Sequence, residues 1–486
     1  MSQFPESLLF IDGKLRPAQG KRTYPNVAPT TEEVAGQAAD ASPEDMDAAI
    51  AAARRAFDET DWSTNRDFRI RCLKQLRDRL KEGADDNRRR VAAETGSTLG
   101  LTYGVQLDLP IKFIDWTLEL AAKYEYQHDI GTTNLMGMPS RRTVYREAAG
   151  VVGAITPWNV PMQINLAKII PALAAGCTAV LKAAPDTPWT AAILGEAAAR
   201  TDLPAGVLNI VTGSDKAGLG EKLTTDPRVD VISFTGSTAT GRRIMAAASG
   251  TLKRVFLELG GKSANILLDD ADFSTALLSG LAVCYHAGQG CAIATRMLLP
   301  RSRYDEALAM LKPMFEMMPY GDPDAMDQIL GPLVSKAQHE RVLNYIQIGK
   351  DEGARLVTGG GRPARLPHGY YVEPTLFADV DNKMRIAQEE IFGPVLAAIP
   401  YDDDDDAVRI ANDSIFGLNG IVHSANPDRA LAVAKRIRAG TININTANAF
   451  DADAPFGGYK QSGIGREMGV EGFEEYLQVK TIGSPA

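Results

Sequence analysis

From residue 151 to residue 259 the chain repeats one pattern: a short apolar run, a turn, then a helical stretch leading to the next apolar run. The runs are 151–156, 178–183, 207–212, 229–235 and 255–259. This alternation implies a parallel sheet with helices on both faces. A second alternating block runs from residue 265 to about residue 445 and predicts a second α/β domain. The boundary falls near residues 258–263, so side chains there face a cleft between domains. The full length, 486 residues, leaves room for two or three sizeable cores. The chain has no internal repeat and no low-complexity linker.

The region before this block has other signals. The first 40 or so residues read as short strands with turns. Ser42-Pro43-Glu44-Asp45 then opens a helix running to about Phe57, with a hydroxyl cap, a proline in the first turn and acids at the positive end. More helix follows to about Tyr126. Residues 130–149 form a polar, extended excursion, and 140–145 predicts an exposed strand in need of a partner, which points to an oligomer contact. The tail residues 477–482 also read as a strand, and pairing across subunits is expected for it.

Composition excludes several roles. The chain carries 52 basic and 61 acidic residues, a net charge of -9. Nucleic-acid and membrane-surface binding both need a basic face and are disfavoured. The longest apolar stretch, residues 169–181, is broken by Pro171 and Gly176 and is too short to span a bilayer. Residues 1–9 include Glu6 and no basic segment, so no secretory signal is expected. Four scattered cysteines make no disulfide framework, which fits a reducing cytoplasm.

One cysteine stands apart. Cys291 lies in Gly288-Gln289-Gly290-Cys291, downstream of the glycine turn Glu258-Leu259-Gly260-Gly261-Lys262. A thiol and a carboxylate, each beside glycines that let backbone approach a ligand, fit covalent catalysis followed by hydrolysis. Spacing alone weighs this reading and an inert core thiol about equally. Cys72, Cys177 and Cys284 sit in apolar text and read as packing. Glu258 ends an apolar run, where a carboxylate is costly unless paired, hydrated or functional.

Binding signals flank this pair. Phe234-Thr235-Gly236-Ser237 is a strand end, a glycine turn and a helix start, which offers backbone amides and a positive helix end to a phosphate. It does not match G-x-G-x-x-G. Lys182 ends another strand, where ligands of parallel sheets bind, although a strand-end lysine can also simply reach solvent. Asn159, in Pro157-Trp158-Asn159, carries an amide able to donate to an oxyanion. The run Asp402–Asp406 precedes a helix, and its acids favour that N-terminus over a metal. The five histidines show no ligand spacing, so no metal is predicted.

Together these pieces resemble the aldehyde dehydrogenase superfamily over nearly the whole chain. The matching motifs are Pro157-Trp158-Asn159, Phe234-Thr235-Gly236-Ser237-Thr238, Leu257-Glu258-Leu259-Gly260-Gly261-Lys262, Gly288-Gln289-Gly290-Cys291, Glu389-Glu390-Ile391-Phe392-Gly393-Pro394 and Pro455-Phe456-Gly457-Gly458-Tyr459-Lys460-Gln461-Ser462-Gly463. The resemblance implies an α/β fold with a Rossmann-type dinucleotide-binding domain (1–129 and 150–257), an α/β catalytic domain (258–448) and a small β oligomerisation arm (130–149 and 469–486). It implies an NAD(P)-dependent aldehyde dehydrogenase, in which Cys291 attacks the aldehyde, Asn159 and the Cys291 N–H hold the oxyanion, a hydride leaves for the nicotinamide, and Glu258 activates the water that hydrolyses the thioester. By the same resemblance Ile155, Trp158, Lys182, Gly213, Phe234, Gly236, Ser237, Glu390 and Phe392 contact the dinucleotide, and Glu467 is a second carboxylate near the water path. A homodimer or homotetramer is expected.

Some positions depart from the family's commonest pattern. Cys284 and His286 stand where phenylalanine and asparagine are frequent, and His286 is read as packing in preference to a polar pocket wall. Pro185 stands where many NAD-preferring members carry glutamate, which weakens the case for strict NAD use. Asp186 is expected to point elsewhere. NAD is favoured, with NADP left open. The alignment places Val160, Ile164, Ala167 and Phe450 on the substrate tunnel. Without an arginine among them, a roomy apolar tunnel and a bulky uncharged aldehyde (aromatic, terpenoid or long-chain) are expected. The alternatives are a semialdehyde dehydrogenase, a CoA-acylating relative, which would generally lack the Glu258 base, and a non-catalytic dinucleotide-binding protein.

Overall fold

The structure is a computed structural model and describes residues 4–214 and 218–486. The first three residues of the opening read above as lacking a secretory signal lie outside the described residues. The five apolar runs form the parallel centre of an eight-stranded sheet. In spatial order they are Arg254–Glu258, Val231–Thr235, Val151–Ile155, Thr178–Lys182 and Leu208–Val211. The three central strands of these five are buried at every residue, which explains their unbroken apolar text. Short antiparallel strands close both sides: Leu9–Ile11 pairs with Leu208–Val211, and Gly463–Ile464 with Arg254–Glu258.

The second block forms a seven-stranded sheet whose strands Thr375–Ala378, Val395–Tyr401, Arg296–Pro300, Ala264–Leu267, Asn419–His423 and Thr441–Ile444 run parallel. Arg355–Thr358 adds an antiparallel edge. The chain leaves the first sheet at Glu258 and enters the second at Ala264. Residues 449–468, which the sequence division left unassigned, carry it back, since Gly463–Ile464 joins the first sheet.

Local signals account for the helix starts. Ser42 and Asp45 form a reciprocal capping box on Pro43–Glu59. Asp403 accepts from the Asp406 N–H and caps Asp404–Asn412, giving the acidic run a structural role. The Pro161–Ala175 helix is buried at every position except Ala167. Among the described residues no helix is long and apolar enough to cross a membrane.

The arm is a three-stranded antiparallel sheet built within one chain. Leu477–Pro485 pairs along its length with Met138–Ala148 of the same chain, from Leu477 opposite Ala148 to Pro485 opposite Ser140. Gln127–Leu135 pairs with the other side of Met138–Ala148, so the excursion begins a few residues before residue 130. The tail strand needed a partner, and a hairpin in its own chain supplies one.

Candidate active site

The two sheets meet in opposite senses. Ile155, Lys182, Thr235 and Glu258 are the carboxyl-terminal residues of first-sheet strands. Gly261–Ser263, Cys291, Glu390 and Phe392 instead precede the amino ends of second-sheet strands that begin at Ala264, Arg296 and Val395. Two adjoining hollows lie between them. A groove of ≈ 740 Å³ is walled by Ile155, Trp158, Lys182, Phe234, Gly236 and Ser237, among others. A pocket of ≈ 290 Å³ holds Asn159, Cys291, Glu390 and Phe392 and shares Pro157, Trp158, Thr235, Gly236 and Ser237 with the groove.

The groove fits a dinucleotide on two structural grounds. It lies at the strand carboxyl ends, over the start of the Thr238–Ala248 helix, where Ser237 caps the Thr240 N–H. Gly236 lies against the Phe234 ring, and a Cβ there would come within 2.5 Å of the ring carbon Cζ. At the far end Trp158 meets Phe392 edge to face, with centroids 5.4 Å apart. Glu390 accepts from the Gly261 N–H at 3.1 Å, and Arg341 donates to the Glu390 carbonyl at 2.6 Å.

One expectation about the groove changes. Gly213 packs beside it: an added Cβ would meet the side chain of Leu219, itself on the groove wall, at 2.7 Å, and the neighbouring Ser214 N–H donates to Asp40 at 2.9 Å. The chain after Val211 is drawn toward Asp40 and packs there. Asp186, by contrast, does line the groove, in the turn that follows Lys182.

Cys291 is half-buried, and its loop is tied to Asn159. The Asn159 Nδ2 donates to the Gln289 carbonyl at 3.0 Å, while the Asn159 carbonyl accepts from Gln106 at 2.9 Å. Gln289 donates through Nε2 to the His286 carbonyl at 3.0 Å and accepts from the Val334 N–H at 2.9 Å. His286 and Ala287 are both left-handed, with φ of 48° and 51°, which swings the chain out of its helical turn toward Cys291. The His286 ring is buried, and burial pushes its pKa down to about 4. Gly261 is crowded by the thiol's own residue: a Cβ there would sit 2.5 Å from the Cys291 carbonyl oxygen.

Behind the pocket wall lies an acid cluster. Glu258 is 4% exposed, with Oε2 unbonded. Glu467, 7% exposed, accepts from Lys168, which also donates to Ser233 at 3.0 Å. Burial, then the charge of Glu467, holds the Glu258 carboxyl well above the usual carboxylate range. Burial, then Glu390, Glu258 and Glu467, pushes the Cys291 thiol up to about 12. Sequence reasoning overlooked Lys168, whose signal was available: it is the one charged side chain in the Pro161–Ala175 helix.

The expected substrate wall is met in part. A narrow, mainly apolar cavity of ≈ 30 Å³ separates the Asp108–Lys123 and Pro161–Ala175 helices. Ala167 lines it with Gln163, Leu166 and Ile170, but Val160 and Ile164 do not. Residues 163, 166, 167 and 170 share one helical face, and Ile164 is turned about 100° from Gln163. Phe450 packs on Phe113 at 5.9 Å and on Phe456 at 5.8 Å, and Phe113 is on the cavity wall. Among the described residues no group of three or more His, Cys, Asp or Glu side chains is placed to hold a metal ion.

Comparison with known proteins agrees with this arrangement. The model of the aldehyde dehydrogenase family matches residues 15–482. A 3-succinoylsemialdehyde-pyridine dehydrogenase of a Pseudomonas species is 43% identical over 97% of each chain. A Mycobacterium tuberculosis aldehyde dehydrogenase solved with NAD+ superimposes with a TM-score of 0.94 at 44% identity, over 99% of this chain and 98% of that one. A mutant of aldehyde dehydrogenase C from Pseudomonas syringae, solved with NAD+ and octanal, gives 0.92 at 40% identity, over 98% and 96%. With the motifs, the two sheets and these matches in accord, the chain belongs to the aldehyde dehydrogenase family.

Proposed function

We propose that the chain oxidises an uncharged, apolar aldehyde to its carboxylic acid with NAD, through a thioester on Cys291. The observation that carries this reading is the placement of a half-buried thiol in a ≈ 290 Å³ pocket beside Asn159, continuous with a dinucleotide-sized groove. Cys291 gives its proton to solvent water and its sulfur adds to the aldehyde carbon, whose C=O π bond opens to an oxyanion. An amide nitrogen has two hydrogens, and with one on Gln289 the Asn159 Nδ2 has a second for the oxyanion, beside the Cys291 N–H. A bound nicotinamide dinucleotide supplies the hydride acceptor. Glu258 then takes a proton from water as its oxygen adds to the thioester carbon, the C–S bond breaks, and the acid leaves.

The groove residues are assigned by position. Glu390 and Phe392 hold the nicotinamide end, Lys182 and Asp186 the adenosine end, and Ile155, Trp158, Phe234, Gly236 and Ser237 the wall between. Asp186 disfavours a 2′-phosphate and Arg243 on the same wall favours one, while the solved relatives named above hold NAD+. The apolar substrate rests on Phe113, Phe450 and Phe456, and the relative solved with octanal supports it. A semialdehyde is the second reading, favoured by the relative of that name. Glu258 speaks against CoA acylation.

The domain division is read as dinucleotide-binding (1–129 and 150–257), catalytic (258–448) and arm (130–149 and 469–486). The arm's two outer strands expose Ile130, Leu135, Val479 and Ile482 on open edges, which supports a homodimer or homotetramer. The four free cysteines fit a cytoplasmic setting. The test is reduced-nicotinamide formation over an aldehyde panel, with NAD and NADP in parallel. We expect turnover with apolar aldehydes, stronger with NAD, and none in Cys291→Ala. Turnover only with short or carboxylate-bearing aldehydes would overturn the substrate class, and turnover surviving in Cys291→Ala would overturn the mechanism.

A further inference from the structure

We propose that Met468 is a positioning residue, whose strained backbone fixes the Glu467 carboxylate between Lys168 and Glu258. The inference rests on the reading of Glu258 as the base. Met468 has φ 61° and ψ 176°. Only glycine adopts this region freely, because a Cβ clashes with its own backbone, and other residues stay there only when their surroundings force them.

The surroundings do force it. Glu467 is clamped on its backbone, with its N–H donating to the Phe456 carbonyl at 2.8 Å and its carbonyl accepting from the Phe456 N–H at 2.7 Å. One residue beyond Met468, the Gly469 N–H donates to the Ala452 carbonyl at 3.0 Å. The Met468 carbonyl itself accepts from the Gly472 N–H at 2.9 Å. The chain must reverse within the one residue between these anchors.

The side chains show what the reversal achieves. Met468 lines the narrow cavity that Ala167 also lines. The preceding residue, Glu467, meets Lys168, the next residue along the same helix. Two consecutive residues of one segment thus address two consecutive residues of the Pro161–Ala175 helix, one across a shared apolar cavity and one by charge. A relaxed backbone at 468 cannot keep both contacts. The apolar anchor therefore holds the strained turn, and the turn holds the carboxylate.

The consequence is a pH-dependent one. Glu258 faces Glu467 and Arg466 from this segment and Lys168 from the helix, and its charge is felt by Cys291 across the pocket. Glu467 holds the Glu258 carboxyl up, so a displaced Glu467 lowers the pH at which Glu258 becomes an active base.

The test compares Met468→Ala with Met468→Gly in the full-length enzyme, reading kcat and KM against pH and the pre-steady-state burst. Alanine keeps the strain and removes the anchor, whereas glycine removes the strain. We expect M468A to lower kcat roughly tenfold with its burst intact. Its acid limb should move down by about half a pH unit or more. M468G should keep the wild-type limb. Equal limbs in the two variants, whether both shifted or both unshifted, would overturn the proposal. If M468A does not fold, M468G alone decides: glycine holds this turn without an anchor, so a shifted limb there overturns it. Glu258→Gln is run alongside. Full turnover in that variant would remove the base assignment and this proposal with it, while a dead E258Q with equal limbs in M468A and M468G would remove only the role of Met468.

Discussion

The two parallel sheets use opposite ends. The first presents the carboxyl ends of its strands to the groove, as open α/β sheets usually do. The second presents its amino ends, through the loops carrying Cys291 and Glu390. Its carboxyl ends also open onto a hollow, ≈ 400 Å³ lined by Asp269, Tyr401, Asp402–Asp405 and Arg429. There the acids are matched by arginines: Arg429 bonds Asp404 and Asp269 at 2.7 Å, and Arg301 bonds Asp402 at 2.7 Å. At the junction of the sheets Glu258 and Glu467 are buried, Glu390 is half-buried, and Lys168 bonds Glu467 and Ser233. Acids in water with arginine partners stabilise an edge, whereas burial at the junction raises the Glu258 and Glu390 carboxyls above the usual carboxylate range.

The largest expected effect breaks the cluster at its base. Glu258→Gln removes one charge and the proton acceptor for water. Hydride transfer should survive as a stoichiometric burst, while steady turnover falls roughly a hundredfold or more. Stopped-flow reduced-nicotinamide absorbance checks both. Turnover close to wild type would make Glu258 no more than a buried carboxylate and erase the contrast between the two ends.

The next effect is graded by pH. With its thiol pushed up to about 12, Cys291 is mostly protonated across the neutral range. The thiolate fraction below that value rises with pH, so iodoacetamide labelling of the cofactor-free enzyme should quicken roughly tenfold per pH unit from 7 to 10. Mass spectrometry of the Cys291 peptide follows it. E258Q, with one opposing charge gone, should label faster at each pH. A rate that levels off by pH 8 would mean that burial and the three acids do not hold the thiol up.

How far the sequence could reach differs along the same lines. The first-sheet strands were legible to within a residue or two, because unbroken apolar runs ended by turns have few other uses. Cys291, Glu258 and Asn159 were proposed from motifs, in which local text carries the chemistry, and the structure gathers them at one cleft. Lys168 was not, although it is the one charged side chain of its helix, because its partner Glu467 lies 299 residues away and no motif joins the two. The rotation of the Pro161–Ala175 helix is hard to read for a related reason. A helix apolar on every side has no polar face to fix which residues meet the Asp108–Lys123 helix, where Gln163, Leu166 and Ala167 line the narrow cavity. The tail strand's partner in its own chain, Met138–Ala148, lies more than three hundred residues upstream and was equally invisible.

The smallest expected effect tests the quiet end of the second sheet. Arg429 is one-third exposed and bonds acids on two loops, so Arg429→Ala should cost about 1 kcal/mol of stability, the scale of a surface network. Its sign with pH follows from Asp269, whose carboxyl the Arg429 hydrogen bond holds below the usual range. A depressed carboxyl contributes stability above its unfolded value and loses it as pH falls through the folded one. The gap between variant and wild type should therefore be full at pH 7 and shrink below about pH 4. Thermal unfolding at both values measures it. Aldehyde turnover and cofactor KM should stay within about twofold, since surface substitutions far from a site couple weakly to it. A larger loss of activity would mean that the carboxyl ends of the second sheet also serve the reaction, and that the arginines there do more than balance charge.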